Sequence, residues 1–308
     1  MNCTIVIPVY NSDASLVPLV EKILATCEPV IPAFEVILVN DGSRDRSWDT
    51  IQNLAKRFSQ VRGINLMRNY GQHNALLAGI RAARYQVIVT MDDDGQHPPD
   101  QIPALLAKLD EGFDVVYGAP EVTREGFWRI VGSQITRFLI VTTMGVRVPS
   151  NGSSFRAFRT ILREGFADYV SPFVAIDVLL SWGTTRFGVV TVKHEERRVG
   201  KSNYSFIGLL ILAVDMTTGF STWPLRVASF VGFVFTVIGA VVFLYTLIRY
   251  LVEGGDVPNL RFLGSIISIF AGAQLFALGI MGEYLARLHS RMMARPPYVI
   301  RERTDSQP

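Results

Sequence analysis

Cysteine is scarce in this chain: 308 residues include two, Cys3 and Cys27. They fit neither a disulfide framework nor a metal-ligand spacing, and so few thiols suit a reducing compartment. Net charge is equally small, +3. No Lys/Arg-rich stretch with interleaved aromatics occurs ahead of the tail, which argues against a nucleic-acid partner. The histidines, His73, His97, His194 and His289, lack metal-ligand spacing. No Gly-x-Gly-x-x-Gly follows the first apolar run, which disfavours a dinucleotide-dependent dehydrogenase. Also missing is a basic N-terminal region followed by an apolar stretch and a small-residue cleavage site. Met1 leads within three residues into a strand-like run, so residues 1 to about 200 are expected to stay in the cytoplasm.

Apolar residues, by contrast, make up 49% of the chain and are unevenly spread. Residues 1 to about 200 alternate apolar runs with charged segments, whereas 205–285 are almost uncharged. In the first part the pattern predicts strands at Thr4–Pro8, Phe34–Asn40, Gly63–Met67, Gln86–Met91 and Asp114–Tyr117. Between them it predicts helices at Ala14–Ala25, capped by Ser12 or Asp13, at Ser47–Phe58, at Gln72–Arg84 and from Pro98 to Glu111. This alternation implies an α/β fold with a mostly parallel sheet and helices on both faces. Ligands of such sheets bind beyond the carboxyl ends of the strands. Asp41 and the run Asp92-Asp93-Asp94 both stand at such ends.

Val227–Ile248 and Phe262–Gly282 carry no charge, and each is long enough to cross a hydrocarbon core of about 30 Å as a helix. The expected organisation is a domain at 1–203, an interfacial segment at 204–224, and a two-helix membrane domain at 225–286. Its spans lie at about 227–249 and 262–283, and a basic tail follows at 287–308. Phe206–Val214 is apolar but interrupted by Asp215, too short to span, with Trp223 at the headgroup level. The tail holds Arg287, Arg291, Arg295, Arg301 and Arg303, against Arg249 and Arg261 at the edges of the inter-span loop. That bias puts the tail in the cytoplasm. Gly264, Ser268 and Gly272 form a small-residue face whose partner is the other span or a second protomer of a homo-oligomer.

Asp92 and Asp94, two apart at a strand end, can turn their carboxylates to one side, with Gln96 at the next alternate position. Hard oxygen ligands of this kind suit Mg²⁺ or Mn²⁺, which also bind phosphate oxygens. The plain alternative is a solvated acidic turn ahead of a helix. Asp93 is expected to face away. Asp41 can accept hydrogen bonds from a base or ribose, or simply close an Asp-Gly turn. Tyr10 and Asn11 could stack on or hydrogen-bond a base. Arg197, Arg198 and Lys201 precede the interfacial segment. They form either a basic face attracted to anionic lipid, or a site in which Arg197 and Ser202 hold a lipid-borne phosphate. Arg129, Ser133 and Arg156 are polar residues on otherwise apolar segments.

Several motifs occur in a fixed order: Ile7-Pro8-Val9-Tyr10-Asn11, Asn40-Asp41-Gly42-Ser43, Arg68-Asn69-Tyr70-Gly71-Gln72-His73 and Met91-Asp92-Asp93-Asp94-Gly95-Gln96. Further on come Arg156-Ala157-Phe158-Arg159, Glu196-Arg197-Arg198-Val199-Gly200-Lys201-Ser202-Asn203-Tyr204, Gly282-Glu283-Tyr284-Leu285-Ala286-Arg287 and Ala294-Arg295-Pro296. With these motifs the chain resembles, over nearly its whole length, the bacterial polyprenyl-phosphate glycosyltransferases of glycosyltransferase family 2. The undecaprenyl-phosphate glucosyl and aminoarabinose transferases are the nearer resemblance, and dolichol-phosphate mannose synthase a more distant one. The resemblance implies a GT-A fold and a bacterial inner-membrane, multi-pass enzyme with its catalytic domain and C-terminus in the cytoplasm. It implies that Pro8, Tyr10, Asn11, Asp41 and Asp92 hold a nucleotide sugar, a UDP-sugar, and that Asp92, Asp94 and Gln96 hold Mg²⁺ or Mn²⁺. Asp94, Arg129, Ser133 and Arg156 become the catalytic set, facing the diphosphate or the acceptor. Arg197, Arg198, Lys201, Ser202 and Tyr204 become the site for the phosphate of undecaprenyl phosphate. The implied reaction is a single inverting displacement by a lipid phosphate oxygen. The chain departs from the family pattern at Ser12 (usually Glu), Glu121 (often Arg), Ser154 (Asp in some relatives) and Asn203 (Lys in many).

Two other readings compete. Gln134-Ile135-Thr136-Arg137-Phe138 approximates the Gln-x-x-Arg-Trp signature of processive polysaccharide synthases, but ends in Phe, and two spans are too few for a translocation channel. A catalytically silent membrane scaffold that binds sugar nucleotides is opposed by the intact acidic run.

Overall fold

The computed structural model describes residues 1–120, 153–192, 223–253 and 260–305. The chain divides into two units, Met1–Asn203 with Ala294–Pro308, and Tyr204–Met293.

In the first unit the alternation of the sequence becomes β1 (Cys3–Val9), α1 (Asp13–Cys27), β2 (Phe34–Asn40), α2 (Ser47–Arg57), β3 (Val61–Leu66), α3 (Gln72–Ala82) and β4 (Val87–Thr90). A 3₁₀ turn at Pro99–Gln101 leads into α4 (Ile102–Asp110), followed by β5 (Val115–Pro120). After the residues outside the description come β6 (Arg156–Arg159), a 3₁₀ helix at Thr160–Phe166, α5 (Ile176–Gly183) and β7 (Phe187–Val192). The helix expected from Pro98 therefore opens as a 3₁₀ turn. Ser12 does occupy the N-cap of α1, but its side chain makes no capping bond; its hydroxyl donates to the Tyr10 carbonyl at 3.2 Å instead.

The strands form one sheet in the order β7-β5-β6-β4-β1-β2-β3-β8, where β8 is Ile300–Arg303. β4, β1, β2 and β3 run parallel, as the α/β alternation predicts. β6 is antiparallel to both β4 and β5, and β8 is antiparallel to β3. Strand periodicity sorts the core into two layers. Ile5, Ile7, Val36 and Leu38 pack with α1, α2 and α4 on one face. Val6, Ile37 and Val39 pack with α3 and α5 on the other. α3 lies so close to the sheet that a Cβ on Gly79 would come within 2.3 Å of Val6 Cγ1.

The tail is more than a basic segment. Its strand β8 caps the edge of β3: Met67 N–H donates to the Val299 carbonyl at 2.9 Å, and Gly63 N–H to Thr304 Oγ1 at 2.8 Å. Arg62 reaches Asp305 at 2.6 Å and the buried Glu35 at 2.7 Å. An edge strand's unpaired backbone groups are thereby covered.

The second unit contains α6 (Trp223–Glu253) and α7 (Leu260–Met292). At about 1.5 Å per residue each exceeds a hydrocarbon core of about 30 Å. Among the described residues one window, Ile269–Ala286 in α7, is long and apolar enough to cross a membrane, with mean hydropathy 1.4 and none of it buried. Val227–Val242 is a shorter apolar stretch of α6. The two helices pack together: Phe235 meets Phe270 edge-on at 6.0 Å, and a Cβ on Gly239 would lie 2.7 Å from the Phe270 ring. Gly272, by contrast, has open space around it, so it is not part of that contact. The interfacial segment expected at 204–224 lies almost wholly outside the described residues.

Candidate active site

Parallel strands all direct their carboxyl ends to one side, so the loops after β1, β2 and β4 converge there. They enclose a cleft of about 290 Å³ lined by Pro8, Tyr10, Asp41, Gln72 and the acids Asp92, Asp93 and Asp94. A larger hollow of about 770 Å³ lies beside the start of β3, between Lys56, Arg84 and β8. Its size does not make it the reaction site, because its carboxylates face basic and amide partners: Asp305 pairs with Arg62, and Glu302 accepts from Asn65.

The floor of the cleft is organised by Asp41. It is 3% exposed, and its two oxygens accept the backbone N–H groups of Tyr70 and Gly71 at 2.7 and 2.8 Å. Burial pushes its carboxyl above the ordinary range, and the two N–H bonds only partly oppose this. Asp41 thus ties the loop after β3 to the end of β2. The approach is so close that a Cβ on Gly42, whose φ is +66°, would sit 2.5 Å from the Arg68 carbonyl carbon. Asn11 has a comparable bracing role. Its φ is +55°, its side-chain oxygen accepts Arg44 N–H at 2.8 Å, and its own N–H donates to Ser43 Oγ at 3.0 Å. That oxygen is therefore engaged with the neighbouring loop, while Tyr10, 44% exposed, lines the cleft.

Each acid has its own setting. Asp92 accepts Gln72 Nε2 at 2.6 Å on one oxygen and Ser154 Oγ at 2.5 Å on the other. Asp94 accepts the N–H of Gln96 at 3.0 Å, across a turn at Gly95 with φ +75°. Asp93, expected to face away, instead lines the same cleft and accepts Tyr10 N–H at 3.2 Å. Burial, with repulsion from Asp92 and Asp94, pushes its carboxyl up to about 6. Its carboxylate is held there by the Tyr10 N–H, which links the loop after β4 to the end of β1. Gln96 braces Asp94 through its backbone and is not among the cleft-lining residues.

Arg156 is a correction to the sequence-based expectation. It does not face the cleft but is buried, 1% exposed, at the start of β6. There it pairs with Asp177 and donates from Nε to Thr90 Oγ1 at 3.1 Å. Tyr117 OH donates to the same Asp177 oxygen at 2.8 Å. Burial alone would raise the Asp177 carboxyl, but Arg156 and His73 hold it below the usual range. The reason for the inward turn is register: Arg156 stands opposite Thr90, on the interior side of the sheet's end. Arg129, Ser133, Arg197, Arg198, Lys201, Ser202 and Tyr204 lie outside the described residues, as do Glu121 and Asn203.

Gln72, Ser154, Thr90 and Asp177 are site residues to which sequence reasoning gave no role. Gln72 was open to discovery, since it follows the Gly71 turn at the carboxyl end of β3. Asp177 carried a weaker signal, a lone acid inside Val174-Ala175-Ile176-Asp177-Val178-Leu179-Leu180, where a buried charge needs a partner.

The donor set fits a divalent cation in one particular way. Among the described residues no group of three or more His, Cys, Asp or Glu side chains is disposed to hold a metal ion. Mg²⁺-type sites instead use one or two carboxylates and take further oxygens from phosphates and water. Asp92 suits this: each oxygen holds one neutral donor and keeps further lone-pair capacity. Such donors orient a ligating carboxylate.

Sheet and cleft together define the GT-A class of α/β glycosyltransferase. Residues 4–169 match Glycosyl transferase family 2, and the chain belongs to that family. It is 36% identical over 302 residues to an undecaprenyl-phosphate 4-deoxy-4-formamido-L-arabinose transferase of Shewanella sediminis, covering 97% of this chain and 91% of the relative. A relative of the same description from Pseudomonas fluorescens is 35% identical over 99% of this chain and 91% of its own length. In fold the chain is similar to glucosyl-3-phosphoglycerate synthase from Mycobacterium tuberculosis, solved with Mn²⁺, uridine diphosphate and phosphoglyceric acid. The TM-score is 0.52 at 17% identity, over 70% of this chain and 76% of that one.

Proposed function

We propose that this glycosyltransferase moves a sugar from a UDP-sugar to undecaprenyl phosphate, by a single inverting displacement, at the cytoplasmic face of a bacterial inner membrane. The observation that carries the donor side is the cleft at the carboxyl ends of β1, β2 and β4, where Asp92, Asp93 and Asp94 stand beside Tyr10 and Asp41. The acceptor rests on the near-full-length relatives, whose names specify undecaprenyl phosphate.

In this reading Tyr10, Pro8 and the loop tied down by Asp41 receive the nucleoside, with Asn11 fixing the loop that carries Tyr10. Asp92 and Asp94, with Gln96, hold Mg²⁺ or Mn²⁺, which when bound offsets the charge of the departing diphosphate. Arg129 and Ser133 face the diphosphate. Arg197, Arg198, Lys201, Ser202 and Tyr204 hold the lipid phosphate, since guanidinium and hydroxyl groups suit its oxygens. An acceptor phosphate oxygen bonds to the anomeric carbon as the bond from that carbon to the diphosphate breaks. The second pKa of a phosphate monoester is about 6, so the attacking oxygen is already ionised at neutral pH and needs no general base. That agrees with Ser154 standing where some relatives have Asp.

The membrane reading gains support from β8. Residues 294–308 belong to the same unit as 1–203, and a chain that leaves and rejoins one cytoplasmic unit needs an even number of spans between. Two spans, one in α6 and one in α7, satisfy that condition. The basic tail then shares the cytoplasmic side with the catalytic unit.

The test is to incubate the purified full-length chain with undecaprenyl phosphate, Mg²⁺ or Mn²⁺, and a panel of UDP- and GDP-sugars that includes UDP-4-deoxy-4-formamido-L-arabinose. A lipid-linked sugar monophosphate is expected from a UDP-sugar, lost with EDTA and lost in Asp94→Asn with its melting temperature unchanged. Absence of lipid product from every donor would refute the proposal.

A further inference from the structure

We infer that the buried Asp177–Arg156 pair is a positioning device for Asp92, acting through the hydroxyls of Thr90 and Ser154. The inference rests on the reading of the cleft as a metal and sugar-nucleotide site.

A guanidinium that is 1% exposed is costly to bury. A well-packed apolar residue in its place is often as stable or more so, so such a pair is weak evidence of a stabilising role. The bonds around Arg156 give it a different one. Arginine has donors and no acceptor, so the bond from its Nε to Thr90 Oγ1 at 3.1 Å leaves the Thr90 hydroxyl proton to point elsewhere. It points to the Ser154 carbonyl at 2.7 Å. Ser154 in turn donates its hydroxyl to Asp92 Oδ2 at 2.5 Å. The donors from Arg156 to Asp92 therefore all run in one direction.

The far end of the chain is equally constrained. Asp177 takes both Arg156 and the Tyr117 hydroxyl on one oxygen. Its carboxyl is held ionised, which makes it a poor proton acceptor near neutral pH and a durable counter-charge. Gln72 fixes the other oxygen of Asp92 at 2.6 Å. The carboxylate is thus gripped on both oxygens, by α3 on one side and by a brace rooted in the protein interior on the other. Loosening such an outer brace typically costs 10- to 100-fold in metal affinity or activity.

The experiment uses the full-length chain in detergent, with Mn²⁺ binding read by electron paramagnetic resonance and UDP binding by calorimetry, with and without Mn²⁺. Ser154→Ala and Thr90→Val, which remove one hydroxyl each and leave the ion pair in place, are expected to weaken Mn²⁺ and Mn²⁺-dependent UDP binding at least about tenfold. Their melting temperatures should stay within a few degrees of wild type, and Ser154→Thr, which restores the hydroxyl, should recover most of the affinity. Wild-type affinity in both variants would overturn the inference, as would losses that merely track a falling melting temperature. If the wild-type chain itself binds UDP without any dependence on Mn²⁺, the metal-site reading fails and the inference falls with it.

Discussion

Replacing Asp305 by Ala tests the docking of the C-terminal strand. Asp305 accepts Arg62 Nε at 2.9 Å and Nη2 at 2.6 Å, with the two side chains 28% and 12% exposed. Removing one partner of a buried pair costs about 3–5 kcal/mol when the other is stranded. Arg62 is not stranded, because Glu35 still holds it at 2.7 Å. The cost of Asp305→Ala is therefore about 1 kcal/mol, near the range of exposed pairs. Glu35→Ala is the contrast. Glu35 is 4% exposed and accepts Thr4 Oγ1, Arg84 N–H and Arg62 at 2.7–2.9 Å. Its loss orphans the Thr4 hydroxyl and the Arg84 N–H, while Arg62 keeps Asp305, and is expected to cost about 2–4 kcal/mol. The assay is amide hydrogen exchange over residues 61–67, where Gly63 and Met67 N–H groups depend on Thr304 and Val299. In Asp305→Ala these amides should exchange about fivefold faster at neutral pH, as a local loss of about 1 kcal/mol implies. The effect should depend on pH in a defined sense. Burial would raise the Asp305 carboxyl, but bonding to Arg62 outweighs it, so the folded-state pKa lies below the unfolded one. The stabilisation is then full above an unfolded value of about 4 and lost as pH falls through the folded value, so variant and wild type should converge in acid. Unchanged protection of 61–67 in Asp305→Ala at pH 7 would refute the reasoning.

Gly79→Ala is expected to destabilise the catalytic unit by about 1–3 kcal/mol, since the new Cβ would meet Val6 Cγ1 at 2.3 Å; a melting temperature at or above wild type would contradict it. Asp41→Asn keeps the shape but can accept only one of the Tyr70 and Gly71 N–H bonds. With a charge-assisted bond worth about 1.5–3 kcal/mol, UDP affinity measured by calorimetry should drop at least about tenfold. An Asp41→Asn variant that binds UDP normally would free that loop from any part in the site.

The sequence by itself determined the order of α and β elements in the first 120 residues, because strand and helix periodicities are local. It also determined which strand ends carry acids, and where two long apolar helices lie, since length and composition suffice for both. Tertiary structure alone decided the rest. Ile300–Arg303 is Ile-Arg-Glu-Arg, with no strand pattern of its own; it becomes β8 because β3 offers unpaired backbone groups and Arg62 offers a partner to Asp305. By resemblance Arg156 is expected to face the diphosphate or the acceptor phosphate, yet pairing β6 opposite Thr90 directs it to Asp177. Asp93 looked outward by strand alternation, but the chain has left β4 by then, and its carboxylate turns to Tyr10. In each case the deciding partner lies more than 20 residues away. Periodicity reports which face a residue occupies, whereas the group that meets a charge across that face is chosen by packing.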